Sequence, residues 1–177
     1  VALENIINST NVPNLYLTLA GPLSPNPAEL MSGPLIDELI SKCRKIFDMV
    51  IIDTSSASTD ISVRMGLLSD KCMLVTTPDP VSVRSGQSLL SELKKEGLPA
   101  DRCRLLVNCV RLKLADEGYL ADVEDIAEAF GIPVCGVIPY DENMHVAFTN
   151  GCPVADLEDS EAGAHLSRVF HRFLLTE

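Results

Sequence analysis

No stretch of this sequence approaches the ~20 consecutive apolar residues that a membrane-spanning helix needs, and runs such as Met49–Ile52 and Met73–Val75 are far shorter. The opening Val1-Ala2-Leu3-Glu4-Asn5 lacks the basic segment followed by an apolar stretch that marks a secretory signal. Positive charge is scarce: 14 Lys and Arg face 25 Asp and Glu, and the resulting net charge of −11 repels phosphate backbones and anionic lipid headgroups. Direct nucleic-acid binding is not expected, and a cytoplasmic location is. The six cysteines include no Cys-x-x-Cys pair, and His145, His165 and His171 are scattered, so no metal set built from Cys and His is expected. The thiols read as free and buried. Internal repeats and low-complexity tracts are also missing, which excludes solenoid and linker architectures.

What is present is an alternation. Short runs rich in Val, Ile and Leu are each followed by a longer stretch with helical spacing, the pattern of a parallel sheet with helices on both faces. The strands expected are Leu15–Leu19, Met49–Asp53, Cys72–Thr76, Arg104–Val110 and Val134–Ile138. The helices expected are Pro34–Phe47, Ser82–Glu96, Leu120–Phe130 and a terminal His165–Leu174 packed through Leu166, Val169, Phe170 and Phe173. Pro34 suits a first helical position, and Gly97 and Gly131 suit C-terminal caps. The one long irregular connection is Leu19–Ser32, rich in Pro, Ser and Gly. A length of 177 residues fits one domain, and no composition shift divides it.

In open parallel sheets ligands bind beyond the carboxyl ends of the strands, so the strand exits carry the chemistry. Val50-Ile51-Ile52-Asp53 delivers a carboxylate, able to hold Mg²⁺ directly or through water, or simply to cap a turn. Val75-Thr76-Thr77-Pro78-Asp79-Pro80 reads as a capping and turn device. Leu105-Leu106-Val107-Asn108 ends in an amide that can pair with a donor and an acceptor on one edge of a base, although Asn also terminates strands. Gly136-Val137-Ile138-Pro139-Tyr140-Asp141 leaves its strand into proline, an aromatic ring and a carboxylate, where a planar ligand edge could lie.

Taken together, Phe47–Thr54, Leu68–Arg84, Val107-Asn108, Ile132–Asp141 and Asn150-Gly151-Cys152-Pro153-Val154 resemble the MinD/ParA ATPase family in order and spacing. The stretches Pro13–Tyr16, Ala20–Pro22 and Ser24–Leu30 are similar to the related bacterial tyrosine kinases of polysaccharide export, which share the same fold. The resemblance implies an α/β, doubly wound, mostly parallel sheet of the P-loop NTPase kind that binds ATP with Mg²⁺. In it Asp53 matches the acidic residue near Mg²⁺ and is the candidate catalytic and metal residue, acting through water. Asn108 matches the asparagine that reads adenine, and Pro139, Tyr140 and Asp141 match the segment beside the base.

Two local departures stand out, Ser55-Ser56 where the family has a proline after its Asp-Thr pair, and Cys109 where it often has a basic residue. The larger one is that none of the ten glycines is followed by lysine, so the Gly-Lys-Ser/Thr loop that grips the triphosphate is not in this sequence. Residues 1–177 are therefore expected to be the C-terminal two-thirds of one nucleotide-binding domain, without its first strand and phosphate loop.

Three functions follow. One is an ATPase switch, homodimeric with nucleotide and acting on a protein partner or cargo. Another is a pseudo-ATPase interaction module. The third is a tyrosine autokinase, which the few tyrosines (Tyr16, Tyr119, Tyr140) and the tyrosine-free Phe173–Glu177 disfavour. MinD-like proteins often add a basic amphipathic helix for peripheral attachment to the inner membrane; the apolar face of His165–Leu175 reads as core instead.

Overall fold

The computed structural model describes residues 6–18, 34–55, 59–111, 113–114 and 117–175. They divide into two compact units, Val1–Thr54 and Ser55–Glu177.

In the first unit β1 (Ile7–Ser9) pairs antiparallel with β2 (Tyr16–Thr18), in the register Ile7↔Thr18 and Ser9↔Tyr16. Asn14, with φ 63°, makes the turn between them, a conformation Asn tolerates better than most residues. The Tyr16 ring lies 5.3 Å from that of Phe47. Helix α1 (Pro34–Ile46) opens with proline, where the missing N–H is no loss, and carries Arg44 and Lys45 in its last turn against the negative helix end. Two expectations change here. Leu15–Leu19 is a hairpin arm rather than a strand of the parallel sheet; its partner Ile7–Ser9 has no comparable signal in the sequence, and Leu19 lies outside the described residues. Met49–Asp53 forms no strand at all, and Ile51 is 72% exposed. A strand needs a neighbour to take its backbone N–H and C=O groups, and no described residue supplies one to this segment.

The second unit opens with α2 (Asp60–Leu68), whose N-cap Thr59 accepts from Ser62 N. Then β3 (Cys72–Thr76), β4 (Cys103–Val110) and β5 (Val134–Pro139) form a three-stranded parallel sheet in the order β3-β4-β5. Between them run α3 (Pro80–Lys95), a 3-10 turn at Ala100–Arg102 and α4 (Val123–Phe130). Helix α5 (Asn143–Asn150), a 3-10 turn at Val154–Asp156 and α6 (Glu161–Leu175) follow.

Period-2 alternation along β3 and β4 builds two cores, and a register shift at Leu105/Leu106 breaks the alternation so that Cys135 and Ile138 of β5 share a face. Leu74, Cys103, Leu105 and Val107 point to one face, where Leu90 and Leu93 of α3 and Ile126 and Phe130 of α4 meet them. Leu106, Cys135 and Ile138 point to the other, against Ala162 and Val169 of α6, with Met73 and Leu166 beside them. Fully burying each Leu, Ile, Val or Phe side chain among them contributes about 1.5–3 kcal/mol, so the sheet is covered on both faces by hydrophobic packing. This is the doubly wound arrangement the apolar runs imply.

Element ends agree with the sequence to a few residues, and the differences trace to caps. Helix α3 begins at Pro80 because Asp79 caps it, and α4 begins at Val123 because Asp122 accepts from Glu124 N. Gly131 closes α4 at φ 59°, which a residue with a Cβ enters only with strain. Helix α6 begins at Glu161, a turn before the periodic apolar residues start. Val169 is buried as expected, but Phe170 is exposed. Helices α2 and α5 go beyond the helices expected; both are short and weakly amphipathic. The long connection Leu19–Ser32 lies outside the described residues.

Gly163 sits in the first turn of α6, where a Cβ would stand 2.5 Å from Val154 O and 3.1 Å from Ala155 Cα. Backbone cannot swing aside as a side-chain tip can, so Gly163→Ala should destabilise the protein by about 1–3 kcal/mol in urea unfolding. An unchanged midpoint would show that α6 is free to shift away from the Val154–Asp156 turn.

Candidate functional site

Parallel pairing aligns the strand exits of the second unit. Thr76 is in register with Val107, and Val107 with Val137, so Thr77, Asn108 and the residues after Ile138 emerge at one edge of the sheet.

At the β3 exit, Thr76 is buried and its Oγ1 donates to Thr77 O at 3.2 Å. Thr77 Oγ1 donates to the Asp79 carboxylate and lies 2.7 Å from Ser82 Oγ, while Asp79 Oδ1 accepts from Val81 N and Ser82 N. The Thr77 hydroxyl, then the Ser82 and Val81 groups, hold the Asp79 carboxyl down at about 2. The capping reading of this exit is therefore what the geometry shows.

The β4 exit departs from a simple tip. Asn108 is half-buried, and the strand continues through Cys109 to Val110. Cys109 has φ 57°, a left-handed conformation that costs a residue with a Cβ roughly 1 kcal/mol, and the β4–β5 register shifts between Val107 and Val110. Beyond this bulge Tyr140 N donates to Val110 O at 2.9 Å. The Arg111 guanidinium carbon then sits 3.9 Å from the centre of the Tyr140 ring.

At the β5 exit Pro139 is buried and Tyr140 is 39% exposed. Asp141 braces the structure around it. Its Oδ1 accepts from Asn143 N at 2.8 Å, and its Oδ2 from Ser160 Oγ at 2.7 Å and Ala162 N at 3.1 Å. One carboxylate thereby ties the start of α5 to the start of α6, and Ser160 Oγ in turn accepts from Gly163 N. These donors, Ser160 first, hold its pKa below the ordinary carboxylate range.

The sequence-predicted residues thus separate into two sets. Asn108, Pro139, Tyr140 and Asp141 come together at one sheet edge. Asp53 belongs to the first unit, exposed at the end of the Met49–Asp53 segment. Among the described residues no group of three or more His, Cys, Asp or Glu is placed to hold a metal ion.

All six cysteines are free; Cys103 and Cys135 are buried, but Cys109 is exposed, against the uniform burial expected. Burial raises the Cys72 thiol to about 11 and also raises Cys103 and Cys135, leaving them unreactive. Sequence reasoning passes over Arg111 and Ser160. Arg111 stands in no motif and meets Tyr140 just beyond the bulge, whereas Ser160 two residues before a small-residue stretch is a legible cap. No described helix is long and apolar enough to cross a membrane.

No family model matches the sequence. The fold is that of MinD- and ParA-type P-loop ATPases. Across 98% of this chain and 71% of the other, it superposes on the cell division ATPase MinD of Pyrococcus furiosus with a TM-score of 0.78 at 19% identity. A ParA family ATPase from Chlorobium tepidum gives 0.75 over 98% and 69% at 20% identity. In sequence, the chain is 26% identical over 153 residues to a putative septum site-determining protein MinD of Emiliania huxleyi, covering 85% of this chain and 54% of that protein. The tyrosine-protein kinase CpsD of Streptococcus pneumoniae is 33% identical over 91 residues, half of this chain and 39% of the kinase. The sequence therefore resembles MinD along most of its length, and spans about half the length of the MinD relative.

Asp79 and Asp141 both titrate below the ordinary value near 4, so the stability they add is present above about pH 4 and is lost as the pH falls through their folded values, near pH 2 for Asp79. Asp79→Asn with Asp141→Asn should flatten acid unfolding in that window, followed by circular dichroism. A profile as steep as the parent's would show that the caps do not govern acid stability.

Proposed function

We propose that this chain is the larger, C-terminal part of the nucleotide-binding domain of a MinD/ParA-type ATPase. Nucleotide would favour a homodimer and hydrolysis to ADP and phosphate would release it, so that the protein positions or regulates a protein partner. The observation that carries the reading is the convergence of Asn108 with Pro139, Tyr140 and Asp141 at the carboxyl edge of a parallel sheet of this fold. One solved neighbour is MinD of Pyrococcus horikoshii complexed with Mg-ADP, and another is a MinC:MinD complex from Aquifex aeolicus, which supports a nucleotide and a protein partner as the ligands to test.

Each residue then has a role. The half-buried Asn108 amide pairs with the edge of adenine, because an amide offers a donor and an acceptor side by side. Pro139 and Tyr140 form the wall beside the base, and the Asp141 carboxylate fixes that wall to α5 and α6. Asp53 is the Mg²⁺ residue, through water. ATP with Mg²⁺ supplies the phosphoryl chemistry, and the loop that grips the phosphates comes from sequence upstream of this chain. Two features support an upstream strand as well. Among the described residues β3, like β5, pairs on one side only, and the apolar Met49–Asp53 segment forms no strand. A sheet short of one strand leaves such edges. The location proposed is the cytoplasm.

Calorimetry with MgATP on this chain and on the polypeptide extended upstream tests the reading. The extended protein should bind and this chain should not, and Asn108→Ala should weaken binding about tenfold through the lost pair of hydrogen bonds. No binding by the extended protein would leave an interaction module without nucleotide.

A further inference from the structure

Arg111 lies outside every motif in the sequence, yet its guanidinium rests 3.9 Å from the centre of the Tyr140 ring at the same sheet edge as Asn108. Three observations bear on what the pair does. Arg111 is exposed and Tyr140 is 39% exposed, so the stack stands at the surface where a ligand can reach it. The chain adopts a left-handed residue at Cys109 and breaks the β4–β5 register immediately before Arg111. Local strain of this kind persists only where the surroundings hold it, and it gathers at binding sites. Finally, a cation is set at the ligand-binding end of a chain with net charge −11, which would otherwise repel an anionic nucleotide.

We infer that Arg111, backed by Tyr140, is a specificity-determining residue that stacks its planar guanidinium on the purine base of the bound nucleotide. This rests on the nucleotide reading above and deepens it. A guanidinium is flat on both sides. With one side against Tyr140, the other offers a surface of base-like dimensions whose positive charge complements the π-face of a purine. Asn108 would read the edge of the same base while Arg111 covers its face. Lysine cannot replace arginine here, because an ammonium supplies the charge without the plane.

The test is calorimetric titration of the full-length protein with MgATP and with magnesium tripolyphosphate, which has the phosphates and no base. Arg111→Ala should weaken MgATP about five- to tenfold and leave tripolyphosphate within twofold of the parent. Arg111→Lys should lose nearly as much, and this variant keeps the folded protein's charge should the alanine variant prove unstable. Combining Arg111→Ala with Tyr140→Ala should lose less than the two losses multiplied, since the two side chains act as one surface. Recovery of parent affinity by the lysine variant, or equal weakening of MgATP and tripolyphosphate, would make Arg111 a phosphate contact and overturn the stacking role. MgATP binding unchanged in both variants would remove Arg111 from the site while leaving the nucleotide reading intact. No binding of MgATP by the parent would remove that reading and this inference together.

Discussion

Everything in the second unit hangs on the pairing of β4, which takes backbone hydrogen bonds from β3 on one side and β5 on the other. A buried strand must place every N–H and C=O with a partner, and β4 is buried on both faces, so its register fixes the neighbours rather than the reverse. Leu105 and Val107 then commit to the α3 and α4 side and Leu106 to the α6 side. A slip of one residue would exchange the two cores. The same register sets Thr77, Asn108 and Tyr140 at a common edge, so packing and the candidate site have one cause.

The β4–β5 register shifts twice, at Leu105/Leu106 and again between Val107 and Val110, the second toward that edge. The bulge after Val107 lets β4 end on Val110 opposite Pro139, and Tyr140 N closes the ladder on Val110 O. The Asp141 carboxylate next ties α5 and α6 to the end of β5. The wall that holds Tyr140 is thus braced from both sides, by the ladder before it and by three charge-assisted hydrogen bonds after it. Among the described residues β3 and β5 flank the sheet, each with a neighbour on one side only.

How much of this is legible in the sequence depends on how local the signal is. The three strands of the parallel sheet and the helices α1, α3 and α4 declare themselves through continuous apolar runs, helical spacing, Pro34, Pro80, Asp79 and Gly131, all of which act within a few residues. Met49–Asp53 carries an equally good strand signal, yet strand formation is decided by a partner, and pairing is not written in the segment itself. Helices α2 and α5 escape because their apolar and polar residues are poorly segregated. Asn108 and Pro139–Asp141 are legible as strand exits. The use of the Asp141 carboxylate is not, since its partners Ser160 and Ala162 lie some twenty positions on. Arg111 is invisible for a similar reason: its partner Tyr140 lies 29 positions on in the neighbouring strand's exit.

On the proposed function, the exits of β3, β4 and β5 form one nucleotide-facing edge. Hydrogen exchange on the full-length protein with and without MgATP addresses it directly. Nucleotide should slow exchange in three separate peptides, covering Thr76–Pro80, Asn108–Arg111 and Pro139–Asn143, with the α3 and α4 core amides unchanged. Binding that leaves all three peptides untouched would contradict it.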